Sequence, residues 1–274
     1  IIQGPGYRDS LLKAGPASVP VLRITRFAMK NLLLLSLLLC SLIWGGCSKD
    51  DVPAPSYDAD VVIPDEVFRR FCLENYDTNG DGRLSAAEAR AVRKMYCHYP
   101  GIGSMEGIER FTRLEVFDCT YSYGLRGLDL SGNKNLVSVS CKDCWNLSSL
   151  NVSQCGALRE LNCDGCSLPW LDVTRNPVLE RLSCRGNDLS MINLSRNSEL
   201  RVVDLYGNRL GTLNVSRNFR LEELNCDENL LTLLDVSLCL ELDKLNAGWV
   251  PTLYLNRNQH ISSLTHYGEI VYRD

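Results

Sequence analysis

The chain has 274 residues, of which 45% are hydrophobic, 23% are charged and 8% are aromatic, and its formal net charge is −4. This composition suits a folded protein. The acidic balance argues against nucleic acid and anionic membrane headgroups as partners, because both are bound by strongly basic surfaces.

The first 28 residues show no repeat pattern, and the first methionine of the chain is Met29. Residues 1–28 are therefore interpreted as an extension upstream of the true start of translation. After Met29 come Lys30 and an apolar run over 32–44. This run is too short to cross about 30 Å of hydrocarbon as a helix, but it has the length of the apolar region of a secretory signal peptide. We expect 29–46 to be that signal peptide.

A cysteine, Cys47, follows the small residues Gly45 and Gly46. This pattern resembles a bacterial lipobox, although Trp44 stands where the pattern usually has a small aliphatic residue. The resemblance implies that Cys47 becomes the lipidated N-terminus of a membrane-anchored protein, because two or more acyl chains give stable anchoring. The alternative is an ordinary signal peptide followed by an incidental cysteine.

The segment 47–63 is acidic and contains two prolines, and it is predicted to be a flexible tether. Its residues 48–51, SKDD, resemble the export tag of surface lipoproteins in some anaerobic Gram-negative bacteria. That resemblance implies an outer-membrane location at the cell surface, with the periplasmic face as the alternative. Removal of 1–46 would take away five basic residues and one acidic residue, which changes the net charge from −4 to −8.

Residues 64–97 contain a candidate calcium site. The segment 77–88, DTNGDGRLSAAE, matches the EF-hand loop, with oxygen donors at positions 1, 3, 5, 9 and 12 and Gly82 at position 6 for the sharp turn. Helix-forming sequence flanks the loop, so we expect an EF-hand-like helix–loop–helix. The alternative is a polar turn that keeps this shape without metal. The predicted Ca²⁺ ligands are Asp77, Asn79, Asp81, Ser85 and Glu88 through their side chains and Arg83 through its backbone carbonyl.

The sequence has one such loop, whereas EF-hands normally occur in pairs. Its three carboxylates indicate the weak extracellular affinity class, about 10⁻⁴ to 10⁻³ M. A site of this affinity stays filled outside a cell and does not act as a sensor. We therefore expect Ca²⁺ to be structural and to fasten the helical segment as a cap over the first coil of the repeat that follows.

From Leu114 onwards, a repeat of 21–22 residues runs almost to the C-terminus. Each copy opens with a leucine and carries two short apolar–polar alternations, such as LNC and LDV, that predict strands. A period of this length resembles the leucine-rich-repeat family, including bacterial internalin-like proteins. The opening leucines are Leu114, Leu136, Leu158, Leu179, Leu200, Leu221 and Leu242.

The resemblance implies an α/β repeat fold, in which a leucine-rich-repeat solenoid of about seven coils with short parallel strands follows the small helical EF-hand-like cap. The solenoid is expected to occupy 98–260. Residues 261–274 are expected to cap its open end, because an exposed sheet edge invites aggregation.

Thirteen cysteines are present, and the pairs Cys141–Cys144 and Cys163–Cys166 have the spacing of a four-thiolate zinc site. Each of these cysteines, however, occupies a repeat position that other copies fill with Leu or Asn. A buried Asn can satisfy backbone groups where a coil turns, and Cys fits the same small space. Reduced core thiols are therefore favoured, with zinc binding and disulfides between neighbouring thiols as the alternatives.

The sequence gives little support for catalysis. Its three histidines, His98, His260 and His266, lie near no other catalytic motif. The sequence also has no serine nucleophile elbow, phosphate-binding loop or metalloprotease helix. We therefore expect a protein that is not an enzyme.

Two groups of residues are candidates for partner binding. In leucine-rich-repeat proteins the outward residues of the first strand of each coil line the concave face, and here they mix both signs of charge. The second group is Trp170 beside Met191, because an exposed Trp can anchor an interface or stack on a sugar ring. For both groups the alternative is simple solvation or packing. The predicted concave-face residues are Arg159, Glu160, Asn162, Glu180, Arg181, Ser183, Arg201, Val202, Asp204, Glu222, Glu223 and Asn225.

These observations predict a cell-surface recognition module that is anchored by Cys47, contains one structural Ca²⁺ and binds an unknown protein or glycan. The alternative function is structural: a calcium-stabilised spacer or subunit of an outer-membrane assembly, with no soluble ligand.

Overall fold

The computed structural model describes residues 59–274; the upstream extension, the signal peptide, Cys47 and most of the tether lie outside the described residues. Two α-helices, α1 (Glu66–Tyr76) and α2 (Ala86–Ala91), precede a region that contains a 3₁₀ turn at Ile108–Arg110 and short strands. The strands are β1 (Lys94–Tyr96), β2 (Val116–Asp118), β3 (Gly127–Asp129), β4 (Ser138–Ser140), β5 (Ser149–Asn151), β6 (Glu160–Asn162), β7 (Arg181–Ser183), β8 (Val202–Asp204), β9 (Glu223–Asn225), β10 (Leu233–Asp235), β11 (Lys244–Asn246), β12 (Thr252–Asn256), β13 (Ser263–Thr265) and β14 (Glu269–Arg273).

Both helices begin at a side-chain cap. The Asp65 carboxylate accepts a hydrogen bond from the N–H of Phe68 at 2.9 Å. In α2, Ser85 and Glu88 form a reciprocal capping box, in which each side chain accepts from the N–H of the other residue at 3.2 and 3.0 Å. These caps satisfy N–H groups in the first turn that have no partner within the helix.

The strands stack in parallel into a solenoid. Nine of them form one continuous sheet in the order β1-β2-β4-β6-β7-β8-β9-β11-β13. Elsewhere in the coils, β3 pairs with β5, and β10-β12-β14 form a three-stranded sheet. The register is strict: Leu161 aligns with Leu182, which aligns with Val203. Each coil therefore places equivalent residues directly against those of the coil before.

The stacking buries one continuous apolar core. In the nine-stranded sheet the central residue of a three-residue strand points inward and its two neighbours point outward, because successive side chains alternate. All seven opening leucines are completely buried. The buried central residues are Met95, Phe117, Val139, Leu161, Leu182, Val203, Leu224 and Leu245.

The number of coils differs from the expectation. The seven sequence copies give seven strands of the large sheet, but that sheet has nine. The two additional strands are β1, which lies in the segment 64–97 assigned to the calcium helix–loop–helix, and β13, which lies in the segment 261–274 assigned to the cap. Neither strand is opened by a leucine, because Val92 and Ile261 hold the positions equivalent to Leu114 and Leu242. The apolar spacing persists there without the leucine that marks a copy, and Met95 of β1 is buried in the core.

Buried asparagines link each coil to the one before it. Asn208 donates to the carbonyl oxygen of Cys184 at 2.8 Å, and its own oxygen accepts from the N–H of Leu189 at 3.1 Å. On the opposite side of the coil, Asn197 donates to the carbonyl of Val173 at 2.8 Å, but its oxygen is buried without a hydrogen-bond partner. The two asparagine columns are therefore not equivalent.

Cysteine replaces asparagine in both columns as the donor. The Cys144 thiol donates to the carbonyl of Cys119 at 3.2 Å, and the Cys155 thiol donates to that of Leu130 at 3.3 Å. All eleven cysteines from Cys72 to Cys239 are buried and unpaired, so this part of the chain contains no disulfide.

The helical segment packs against the first coil. The Asp65 carboxylate also accepts from the N–H groups of Gly103 and Ser104, at 2.9 and 3.1 Å. The rings of Tyr76 and Phe111 meet edge to face with centroids 5.9 Å apart. Neither helix within 59–274 has the length and apolar character needed to cross a bilayer.

Candidate functional site

The outward residues of the nine-stranded sheet form two columns, which we call the sheet face. The register brings Glu160, Arg181 and Val202 into one column and Asn162, Ser183 and Asp204 into the other. Two shallow grooves lie along this face. A groove of about 420 Å³ spans β4 to β8, and one of about 180 Å³ spans β8 to β13.

Most charges on and beside the sheet face are paired with one another. Arg159 contacts Glu180 and Arg201 contacts Glu222, in each case between residues of successive coils. The remaining pairs are Arg181 with Glu160 at 4.0 Å, Lys244 with Glu223 at 2.7 Å and Arg185 with Asp204 at 3.6 Å. Apart from the half-buried Asp204, the side chains of these pairs are solvent-exposed, so each exposed pair contributes little to stability, about 0–1 kcal/mol.

Burial raises the pKa of Asp204 above its ordinary value, although hydrogen bonds and Arg185 oppose the shift. This carboxylate lies in the wall of both grooves.

The predicted partner-binding residues fall on two separate surfaces. Glu160, Arg181, Asp204 and Glu223 lie on strands of the sheet face. Arg159 and Arg201 each immediately precede a strand and point into solvent beside them. Trp170 and Met191 are 54% and 69% exposed, but they belong to the second part of the coil, in line with β3 and β5. The concave-face group and the Trp170–Met191 pair therefore do not form one site.

The loop 77–88 is held by hydrogen bonds to its own backbone. Asp77 accepts from the N–H groups of Gly80 and Gly82, at 2.6 and 2.9 Å. Both glycines have positive φ angles, 73° and 79°, which only glycine adopts readily. Asn79 and Asp81 accept from N–H groups two residues further on, at 2.8 and 2.9 Å.

Glu88 closes the loop from its far end. One carboxylate oxygen accepts from the N–H and hydroxyl of Thr78 at 2.7 and 2.8 Å, and the other accepts from the N–H of Ser85 at 3.0 Å. Burial raises the pKa of Glu88, but the hydrogen bonds from Ser85 and Thr78 outweigh it and hold the pKa at about 2. The carboxylate is therefore charged at neutral pH.

No group of three or more His, Cys, Asp and Glu side chains is arranged to hold a metal ion within 59–274. For Cys141, Cys144, Cys163 and Cys166, the thiols of the considered zinc site, the reason is visible, because these thiols make hydrogen bonds to backbone carbonyls along the ladder. For the loop 77–88, the carboxylates are occupied by backbone N–H groups. The loop supplies oxygen donors of the kind that Ca²⁺ prefers.

An exposed aromatic stack was missed by the sequence analysis. Tyr123 stacks on Trp145 with ring centroids 4.6 Å apart, and Tyr121 meets Tyr123 at 6.2 Å. A signal was present, because Tyr123 and Trp145 each lie nine residues after the opening leucine of a copy, in two successive copies.

The histidines lie at opposite ends of the solenoid. His98 approaches the Asp118 carboxylate at 3.2 Å, whereas His266 contacts the backbone carbonyls of Ala247 and Glu269, both at 3.2 Å. His98 thus meets a side chain of the next coil, whereas His266 is held by backbone carbonyls.

No known protein-family description matches the chain, and no curated protein sequence matches it. Solved structures of low identity resemble it, among them the following three. InlP of Listeria monocytogenes shares 16% identity over 70% of this chain and 64% of its own, with a TM-score of 0.53. The functional domain of InlJ from the same species, described as including a cysteine ladder, shares 20% identity over 68% of this chain and 55% of its own, with a TM-score of 0.47. A leucine-rich-repeat protein of Leptospira interrogans shares 17% identity over 61% of this chain and 57% of its own, with a TM-score of 0.35.

The chain thus spans less than two thirds of the length of each of these three structures. The likeness to InlP and the in-register parallel strands at 21–22-residue spacing confirm the predicted leucine-rich-repeat solenoid. At such low identity the likeness concerns the fold alone.

Proposed function

We propose that this protein is a recognition module, not an enzyme, and that its sheet face binds a polar protein or glycan. The observation that carries the proposal is the sheet face itself: nine parallel strands expose two aligned columns of polar and charged side chains, with grooves between them. Proteins of repeat architecture use such extended surfaces for binding. The mixed charges suit a polar partner and disfavour a lipid.

A paired-variant experiment tests the sheet face. Array screening against glycans and extracellular host proteins supplies a ligand. The affinity of the wild type and of the double variant Arg181→Ala/Asp204→Ala for this ligand is then measured. We expect about a tenfold loss or more, since central charged residues of an interface carry much of its energy. The matched control is Arg196→Ala/Arg217→Ala, which removes exposed arginines outside the large sheet. If both variants bind like the wild type, the sheet face is not the binding surface.

The paired charges on the sheet face also favour the structural alternative, a spacer or subunit of an outer-membrane assembly. Such a protein would have no soluble ligand, and its sheet face would need only to stay hydrated. The spacer is favoured if the array yields no ligand and if a fixed set of envelope proteins co-purifies with the protein.

We further propose that the protein is anchored to the outer membrane through Cys47 and exposed at the cell surface. The lipobox-like residues before Cys47 and the acidic residues after it support this location. In a Gram-negative host, radiolabelled palmitate should label the wild type but not Cys47→Ser, which should be released from the membrane. Protease treatment of intact cells should remove the wild-type solenoid; protection would place it in the periplasm.

The loop 77–88 is proposed to bind one structural Ca²⁺ through the six residues named above. Asp77, Asn79, Asp81, Ser85 and Glu88 would supply side-chain oxygens and Arg83 a carbonyl. Binding requires Glu88 to exchange its hydrogen bonds from Thr78 for the ion. Ca²⁺ at 10–100 times its dissociation constant would stabilise the fold by roughly 1.4–2.7 kcal/mol. This corresponds to a rise in melting temperature of about 3–10 °C for a domain of this size.

The variant Thr78→Val tests whether Ca²⁺ competes with the hydrogen bonds that Glu88 accepts. It removes one donor to Glu88, so the metal-free protein should melt lower while the rise produced by Ca²⁺ becomes larger. Glu88→Gln should abolish the rise. A wild-type melting curve that is the same in 10 mM Ca²⁺ and in chelator would contradict calcium binding.

A further inference from the structure

A cleft of about 880 Å³ lies outside the sheet face, and its volume suits the binding of a ligand. Strands β3 and β5 form its floor, the segment 104–109 forms one wall, and Trp170 stands in another wall. No part of the sheet face lines it. The cleft is therefore a surface distinct from the one proposed above.

One outward column of residues explains why the cleft exists. Gly127 pairs with Ser149 in the β3–β5 register, and Trp170 follows at the equivalent position of the next copy. A Cβ atom at Gly127 would meet nothing closer than the Ser149 Cβ at 4.0 Å. Two successive coils thus carry almost no side chain at a position where the third carries an indole. The indole is 54% exposed and presents an aromatic surface beside the space that the small residues leave.

The charged residues that line the cleft are all acidic, although one of them, Glu109, pairs with Arg110 at 3.6 Å beside the cleft. Four carboxylates line it, and no lysine or arginine is among the lining residues. The Asp172 carboxylate is fixed in place, since one of its oxygens accepts from the N–H and hydroxyl of Thr174 at 2.9 and 2.7 Å. These hydrogen bonds lower the pKa of Asp172, and it is charged at neutral pH. The four carboxylates are Glu106, Glu109, Asp129 and Asp172.

We propose that this cleft binds a positively charged peptide segment of a partner protein, with an arginine or lysine side chain against the Trp170 ring and among the carboxylates. A cation is attracted to the face of a Trp ring, and arginine makes this contact more often than lysine. A neutral sugar would also stack on Trp170. Its hydroxyls would donate to the carboxylates but leave their charge uncompensated, whereas an arginine or lysine supplies both hydrogen bonds and a countercharge. The charge therefore favours the cationic peptide over the glycan.

The probe for this proposal is a fluorescein-labelled peptide of alternating glycine and arginine, titrated at physiological salt by fluorescence polarisation. Gly127→Tyr fills the cleft from its floor, and tyrosine suits an exposed strand position. Trp170→Ala removes the aromatic wall. We expect each substitution to weaken peptide binding by about tenfold. Trp170→Ala removes a partly desolvated cation–π contact, and Gly127→Tyr removes the space that encloses the cation. The matched control is Thr212→Tyr, at the equivalent position two copies after Trp170 and outside the cleft.

Equal affinity for the peptide in all four proteins would overturn the proposal, because binding would then reflect only the general acidity of the chain. The proposal also fails if labelled cellohexaose or chitohexaose binds and is lost in Gly127→Tyr, while peptide binding is unchanged. That result would make the cleft a glycan site. Arg181→Ala/Asp204→Ala should leave peptide binding intact, so failure of the sheet-face proposal and failure of this one are distinguishable. Melting curves confirm that each variant is folded.

Discussion

At the corners of the coils, single side chains complete the backbone hydrogen bonding between neighbouring coils. Asn197 and Cys155 occupy equivalent positions, and each donates to a carbonyl of the coil before. The exchange is tolerated there because the Asn197 oxygen accepts no hydrogen bond, so its loss leaves no donor without a partner. In the other column Cys144 and Cys166 replace asparagine in two coils, but at its own coil Asn208 donates and also accepts, so its oxygen has a function there.

This difference predicts that Asn208→Cys destabilises the protein more than Asn197→Cys. The first substitution leaves the buried N–H of Leu189 without an acceptor, which costs about 1–3 kcal/mol, whereas the second keeps a donor and removes an unsatisfied oxygen. Urea unfolding of both variants measures the difference in free energy. Equal losses of stability would show that the amide oxygen contributes nothing at either corner.

Glu88 makes the stability of the calcium-free protein sensitive to acid. Its pKa in the folded protein is about 2, below the ordinary value of about 4.3 that it takes when unfolded. The carboxylate therefore stabilises the fold fully above about pH 4.3 and loses that contribution as the pH falls towards 2.

We expect Glu88→Gln to lower the free energy of unfolding by about 2–3 kcal/mol at pH 7 and by progressively less below pH 4. Acid-dependent unfolding in the presence of chelator measures both curves. Parallel curves from pH 7 to pH 2 would contradict this role of the carboxylate.

At the scale of elements, the leucine period predicted seven strands of the large sheet and their parallel stacking, because each copy repeats the same inward positions. β1 and β13 were not found in this way, since Val92 and Ile261 stand where the other copies have the opening leucine. The partners of Asp204 and Glu223 were also missed. The side chains of Arg185 and Lys244 reach them only because residues 19 and 21 positions apart in sequence lie side by side on neighbouring coils.

The C-terminal strands protect the last coil. β14 covers β12, whose five residues would otherwise present an open edge, and Arg273 pairs with Asp235 and lies 4.0 Å from the centre of the Tyr254 ring. We expect deletion of 261–274 to cause association through the exposed edges of β11 and β12. Light scattering coupled to size-exclusion chromatography measures the molar mass and therefore the association. If the truncated chain stays folded and monomeric at the concentration at which the full chain is monomeric, no cap is needed.

At the scale of the whole molecule, the location of the candidate sites depends on the direction in which each part of the coil faces. A period of two, which separates inward from outward positions, predicted a common outward face, and Arg181, Asp204 and Glu223 lie on strands of the sheet face. It could not show that Trp170 lies on a different surface from Arg181, or that Gly127 and Ser149 open a cleft beside it. Those features arise from the path of the coil between its two strands.

The coils stack in register around a dry core that contains the cysteines. Burial raises the pKa of Cys226 and Cys239 to about 12, which suppresses the reactive thiolate. The most direct test is alkylation by iodoacetamide at pH 8, followed by mass spectrometry of each cysteine. We expect the eleven cysteines from Cys72 to Cys239 to stay unmodified in the native protein and to react fully in denaturant. Rapid modification of Cys163, Cys184 and Cys226 without denaturant would contradict the stacked solenoid.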